Sequence, residues 1–297
     1  MKTPKRLEPL VEDGLIDEVL RPLMSGKEAA VYVVRCGPEL RCAKVYKEAN
    51  KRSFRQAAEY QEGRKVRNSR DARAMARGSK HGRKEQEEAW QNAEVAALYR
   101  LDSAGVRVPK PYDFLDGVLL MEMVAGADGD AAPRLNDVVL TPEQAREYHA
   151  FMIRQVVLML CAGLVHGDLS EFNVLLGPDG PVVIDLPQAV DAAGNNHAFR
   201  MLERDVANMN AYFGYFAPEL LTCKHAKEMW ALYEAGKLTP ASELSGEFEE
   251  PEEDADVDAV MREINAALAD EARRRAMLEA EDAPAQREEP PPPWLQG

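Results

Sequence analysis

No stretch of this chain approaches the ~20 consecutive apolar residues that a bilayer-spanning helix requires, and no leader-like apolar segment opens it. Its four cysteines, Cys36, Cys42, Cys161 and Cys223, form no C-x-x-C pair and no metal-ligand spacing, which argues against a cysteine-built metal site. Cys42 and Cys161 sit in apolar runs and are expected to act as small core hydrophobes. These absences lead to an expectation of a reducing, cytoplasmic location with no membrane contact. Internal repeats are lacking, and the first strand pair is preceded by one glycine, Gly26, rather than a G-x-G-x-x-G run.

The chain has 297 residues, enough for one large or two modest domains, and 45% hydrophobic residues, as in a globular protein. The net charge of −14 is unevenly spread. Residues 51–84 carry twelve Lys and Arg against three acids, while residues 243–258 carry nine acids and no base. An acidic total argues against nonspecific coating of nucleic acid by the whole protein, yet the basic segment suits an RNA or an acidic partner.

The most informative stretch is His166-Gly167-Asp168-Leu169-Ser170-Glu171-Phe172-Asn173, followed by Ile184-Asp185. It sets two carboxylates and a carboxamide at the spacing used for phosphoryl transfer to a hydroxyl. Asp168 is placed to accept the alcohol's proton, and Asn173 and Asp185 to hold magnesium against ATP phosphates. Such transition states need positioning and charge neutralisation more than covalent help, so few residues suffice. Kinases usually carry Arg after that His and Asp-Phe-Gly at the metal loop; here Gly167 and Asp185-Leu186-Pro187 stand instead. Apolar runs at 174–176 and 182–184 flank Gly177-Pro178-Asp179-Gly180 and predict a hairpin that brings Asn173 and Asp185 side by side.

Upstream, Leu10, Val11, Leu15, Ile16, Val19, Leu20 and Leu23 recur at helical intervals, broken at Gly14, and predict a short helix on the first sheet. Residues 30–34 and 41–46 read as strands. The turn before them, Ser25-Gly26-Lys27-Glu28-Ala29, is where an ATP-binding sheet would carry its phosphate loop, although a lone glycine equally fits a plain turn. Lys44 lies inside an apolar strand, where an ammonium needs a partner. Glu94, on a helix expected over 85–103, is the best candidate; Glu87 and Glu88 stand one or two turns earlier. Residues 118–124 read as the last strand of a small lobe. There the backbone of Glu122, Met123 and Val124 would hold an adenine edge, and Met121 would line the pocket.

Thr141-Pro142-Glu143-Gln144 signals a helix start running to about Gly163, and 199–216 reads as a further amphipathic helix with Arg204, Asp205 and Asn208 on its polar side, where Asp205 equally fits an anchor for the catalytic loop's backbone and a solvent-facing carboxylate. Past Pro240 an acidic run, a helix-like stretch over 257–268 and Pro290-Pro291-Pro292-Pro293 read as a tail. The expected division is 1–124, including a basic insert at about 50–84, then 125–238, then a tail over 239–297.

Four segments together closely resemble the RIO-type atypical serine protein kinases: Ser25 to Tyr32, Ala43 to Lys47, His166 to Leu175 and Ile184 to Val190. The resemblance covers roughly residues 10–235. It implies an α+β, two-lobed protein-kinase-like fold, an antiparallel small-lobe sheet with a helix over a mainly helical large lobe, and no activation segment. Only 13 residues separate Asp185 from Phe199, with no Ala-Pro-Glu among them. With 24 residues before Ser25, the chain is expected to be more similar to the subfamily without a winged-helix domain. Ala30 departs from the Asn usual in the family. By position, the resemblance implies Lys44 gripping phosphates with Glu94 as its partner, Asp168 as base, Asn173 and Asp185 as metal ligands, and Ser25 and Lys27 capping the triphosphate. It further implies ATP with magnesium, or manganese in its place, a protein acceptor or the chain itself, and an ATPase switch in small ribosomal subunit maturation. Asp185 would then accept the phosphoryl group transiently. A small-molecule phosphotransferase of the aminoglycoside or choline class and a nucleotide-gated assembly factor are the competing readings.

Overall fold

The computed structural model describes residues 3–26, 29–47 and 80–249, with side chains in the last segment from Gln91 onward. Lys27, the side chains of Glu87 and Glu88, the insert over 51–79 and the helix expected at 257–268 lie outside the described residues.

Helix α1, Glu8–Glu12, is short. Gly14 ends it at φ 73°, and the N–H groups of Leu15 and Ile16 turn back onto the Leu10 carbonyl. The helical spacing seen further along is not a helix. From Glu18 the chain is β1, Glu18–Ser25. Two irregularities in its pairing with β2, at Val19/Arg21 and Pro22/Met24, break the two-residue alternation and produce helix-like intervals. Pro22 is tolerated because β1 is an edge strand.

Strands β2 (Ala29–Cys36) and β3 (Glu39–Tyr46) follow, then helix α2 (Lys80–Ser103), β4 (Pro111–Leu115) and β5 (Val118–Glu122). The sheet runs β1-β2-β3-β5-β4 with every neighbouring pair antiparallel. Strand β4 was not expected. Its hairpin with β5 closes through Asp116 and Gly117, both at positive φ (49° and 74°), the backbone that a two-residue hairpin turn demands.

Alternation along β3 divides the sheet's two faces. Ala43 and Val45 join Val34, Val118, Leu120 and α1's Leu10 in one buried cluster. Cys42 packs with Val33 and Met123 on the other face, where Lys44 and Tyr46 also point by the two-residue period.

The second half of this unit is mainly helical. Helix α3, Pro142–Cys161, starts with a full capping box: Thr141 Oγ1 accepts from Gln144 N–H, and Gln144 Oε1 accepts from Thr141 N–H. Short strands β6 (Leu164–Val165) and β9 (Val190–Asp191) pair, as do β7 (Val174–Gly177) and β8 (Gly180–Val183). Helices α4 (Ala198–Gly214) and α5 (His225–Glu234) complete it. Met152, Met159, Leu160, Leu202 and Phe213 are fully buried. Removing each from water contributes about 1.5–3 kcal/mol, so this cluster dominates the lobe's cohesion. Cys42 is a core residue as expected, but Cys161 is only half-buried, because it is the last residue of α3 and the packed face ends there. Among the described residues no helix is long and apolar enough to cross a membrane.

Between α3, α4 and α5 lies a histidine pair. His149 is buried, with Nε2 2.8 Å from Asn210 Oδ1, and its ring centroid is 5.5 Å from that of His225. Burial pushes both imidazoles below their ordinary range; the Asn210 hydrogen bond partly opposes this at His149, while His149 adds to it at His225. A histidine depressed in the folded state binds fewer protons there than when unfolded, so its stability contribution is present above the unfolded value near 6.5 and is lost as pH falls through it. The thermal midpoint should therefore drop between pH 7.5 and pH 6. The slope, rather than the midpoint itself, should flatten in His149→Gln, and an unchanged slope would show that this pair does not set it.

Candidate active site

The cleft begins with Lys44. Register places it opposite Leu119 on β5 and Val31 on β2, in the middle of the sheet. Its ammonium pairs with Glu94 of α2, whose other oxygen, Oε2, accepts from Tyr46 O–H at 2.9 Å. Both side chains are largely buried, 15% and 9% exposed, so neither charge would be tolerable alone. Glu94, one of the three candidate carboxylates, is paired with the lysine; the side chains of the other two lie outside the described residues. The α2 residues Ala97, Leu98 and Leu101 are buried and hold the helix in this position.

Asp185 Oδ1 lies 3.8 Å from Lys44 Nζ. The hairpin expected from the apolar runs is β7–β8, in which Val174 pairs with Val183 and Ile184 N–H donates to Asn173 C=O at 2.9 Å. Asn173 and Asp185 thereby stand at the same end of one hairpin. Asp185 adopts φ 67°, a left-handed conformation rare for a non-glycine residue, between half-buried Ile184 and buried Leu186. Its carboxylate is half exposed.

The loop before the hairpin is held from α4. Asp205 is buried and its carboxylate accepts from Gly167 N–H at 2.8 Å and Leu169 N–H at 2.9 Å. Arg204 donates to Gly167 C=O, and Asn208 Nδ2 donates to Leu169 C=O at 2.9 Å. Of the two roles open to Asp205 in the sequence, it is the loop anchor and not a solvent-facing acid. Burial pushes its carboxyl up to about 6, against the opposing pull of His166, the two N–H groups and Arg204. Gly167 takes φ 82°. An arginine there would meet the strain that glycine avoids. His166 Nε2 lies 3.1 Å from Ile184 C=O, tying the loop to the segment that follows β8. Asp168 itself is exposed, and its C=O accepts from Asn173 Nδ2 at 2.8 Å.

A cleft of about 930 Å³ takes in Lys44, Glu94, Met121, Glu122, Met123, Val124 and Asp185. Asp168, Asn173 and Ser25 are outside its lining, although Gly26 and Phe172 border it. At the strand end, Glu122 N–H donates to Lys110 C=O at 2.8 Å and Val124 C=O accepts from Ala132 N–H at 2.9 Å. Those two backbone groups are thus engaged within the protein, which narrows the expected adenine contacts.

Two residues were missed. Arg107 clamps Glu122 through its two terminal guanidinium nitrogens (2.8 and 2.7 Å), while its backbone N–H donates to Gln155 Oε1 and its C=O accepts from Val183 N–H. Burial raises the Glu122 carboxyl, but the Arg107 hydrogen bond, the Lys110 N–H and the two cations outweigh it and leave the group below its usual range. Lys47 Nζ donates to Ser25 Oγ at 3.0 Å and Gly26 C=O at 2.6 Å, bracing the turn. Lys47 carried a sequence signal, a second lysine just past the apolar strand; Arg107 carried none.

An antiparallel sheet whose strand-borne lysine pairs with a glutamate on a helix, over a helical lobe presenting a loop and hairpin of this kind, is a protein-kinase-like fold. The RIO domain profile matches residues 30–226, and the chain belongs to that family. It is 40% identical over 207 residues to the RIO-type serine/threonine-protein kinase Rio1 of Haloferax volcanii, covering 69% of this chain and 66% of that one. It is 31% identical over 229 residues to the human serine/threonine-protein kinase RIO1, covering 76% and 39%, and 28% identical over 241 residues to that of Saccharomyces cerevisiae, covering 71% and 47%. The matches thus span less than half the length of the human and yeast relatives. A crystallised kinase domain aligns at TM-score 0.42 and 14% identity over 69% of this chain and 65% of its own, too distant to add to the fold seen directly.

The Asp205 anchor yields a test. Asp205→Ala leaves two buried N–H groups unpaired, each worth roughly 1–3 kcal/mol. Denaturant unfolding at neutral pH should show a loss of roughly 2–6 kcal/mol for the two together, and a variant as stable as the parent would mean that the loop is held by other contacts.

Proposed function

We propose that this chain transfers the γ-phosphoryl group of Mg-ATP to a serine or threonine hydroxyl of a protein, itself included. The observation that carries the reading is the Lys44–Glu94 pair standing 3.8 Å from Asp185 within one cleft. A buried ammonium with an acidic partner on one side and a half-exposed carboxylate on the other suits a phosphate chain with its cation, and the relatives are named serine/threonine-protein kinases.

The donor set fits magnesium. Asp185 offers carboxylate oxygens, and Asn173, whose amide nitrogen is engaged by the Asp168 carbonyl, turns its remaining oxygen to acceptor duty. When bound, the ion would neutralise charge on the phosphates. Lys44 would hold the α- and β-phosphates, and the backbone at Met123 and Val124 would face the base. Asp168 would take the proton of the acceptor hydroxyl as its oxygen bonds to the γ-phosphorus and the bond to ADP breaks. The loop's anchoring from α4 would keep Asp168 placed without an activation segment.

Asp168→Asn removes proton acceptance and not binding. Phosphoryl transfer should fall by about 100-fold or more, with Mg-ATP affinity within a few fold. Asp185→Ala should weaken Mg-ATP binding in calorimetry while leaving magnesium-free nucleotide little changed. Labelled ATP would identify the output: label on Ser or Thr supports the kinase reading, whereas an alkali-labile acyl phosphate with free phosphate supports turnover through Asp185 as an ATPase. Label transferred rapidly to an amino sugar or choline would replace the proposal with the small-molecule class. The basic run over 51–84 suits RNA or a ribosomal particle by charge alone.

A further inference from the structure

The cleft holds a cation that the reaction above does not use. Arg134 borders it, half-buried, on a segment fixed against the floor: Arg134 pairs with Leu175 of β7, and Leu176 N–H donates to Pro133 C=O at 2.8 Å. A guanidinium carries five donors. Among the described residues the single acceptor that meets it is Met24 Sδ, at 3.5 Å, a weak one. Arg21, Arg41, Arg107 and Arg146 each face a carboxylate. Arg134 does not, although Asp137 borders the same cleft.

The position of that sulfur matters. Met24 directly precedes the Ser25-Gly26 turn, so the guanidinium reaches from the helical lobe across the cleft mouth to the sheet's phosphate side. The thioether steadies the group without neutralising it. A planar, permanently charged fork with open donors is the side chain best suited to phosphate oxygens.

We propose that Arg134 is a second phosphate-contacting cation of the cleft, donating to the nucleotide's phosphate chain from the side opposite Lys44. The inference rests on the Mg-ATP reading and adds a residue to it. Arg134 reads charge on the phosphates and is indifferent to base and sugar.

Calorimetry with full-length protein separates the alternatives, using Mg-ATP and adenosine as probes against the parent, Arg134→Leu and Arg134→Lys. Leucine removes the charge and the donors and leaves an apolar side chain at that position. Mg-ATP affinity should fall about tenfold in Arg134→Leu, with adenosine within about twofold, and Arg134→Lys should regain part of the loss. Raised salt should shrink the difference between parent and leucine variant. Equal losses for both probes would make Arg134 a lobe strut and overturn the inference, as would Mg-ATP binding unchanged in the leucine variant. If the parent itself binds Mg-ATP no better than adenosine, the phosphoryl-transfer reading falls as well.

Discussion

A charged ammonium inside an apolar strand is the constraint on which the rest of this structure turns. Lys44 sits at the centre of a five-stranded sheet, where an unpaired charge would be expelled or neutralised. Glu94 satisfies it, with Tyr46 satisfying the second carboxylate oxygen, and this requires α2 to lie across that face of the sheet. Helix α2 can lie there because Ala97, Leu98 and Leu101 bury against the sheet and the helical lobe's core. One ion pair thereby fixes the helix, the strand and the open side of the cleft together. A well-packed apolar pair would hold the sheet and helix as firmly, so the retained charges point to a use for them.

The second constraint is the comb of α4. Arg204, Asp205 and Asn208 hold Gly167 and Leu169 through both their N–H and C=O groups. Asp168, between them, is left exposed while its neighbours on both sides are immobilised. A loop held this way needs no long segment packed over it, which agrees with the short span between Asp185 and α4. The price is a buried carboxylate, visible in the raised titration of Asp205, offset by two N–H groups aimed at it and by nearby His166 and Arg204.

Much of this was legible in the sequence, for identifiable reasons. The β7–β8 hairpin, the capped start of α3 and the pair β2–β3 follow local rules: alternation, turn residues and a Thr-Pro-x-Gln cap. Lys44 was legible because its setting was wrong for a lysine. What escaped depended on distant partners or on irregular pairing. Bulges in β1 imitated a helix, and the Asp116-Gly117 turn, a good hairpin signal, was passed over because β4 carries Pro111 and exposed Tyr112 and Asp113. Arg107 could not be found at all, since Glu122 is 15 residues away and Gln155 is 48. Asp205 lay on a helix whose polar face looked solvated, and only its burial against Gly167 and Leu169 separates anchor from surface acid.

Asp185 shows how these constraints converge. A non-glycine residue at φ 67° carries strain of about 1–2 kcal/mol that asparagine or glycine would lessen. The chain on either side leaves little room for relaxation: Ile184 N–H is bound to Asn173, Ile184 C=O to His166, and Leu186 is in the core. Relaxing Asp185 would swing its carboxylate away from Lys44 or pull Leu186 from its packing. Glycine would remove the strain but also the carboxylate, and asparagine would remove the charge. Keeping a strained carboxylate there agrees with a demand for an anion, and among the described residues the cation that faces it is the Lys44 ammonium at 3.8 Å. That distance exceeds a hydrogen bond and falls short of full separation, leaving the carboxylate attracted but not consumed by the lysine.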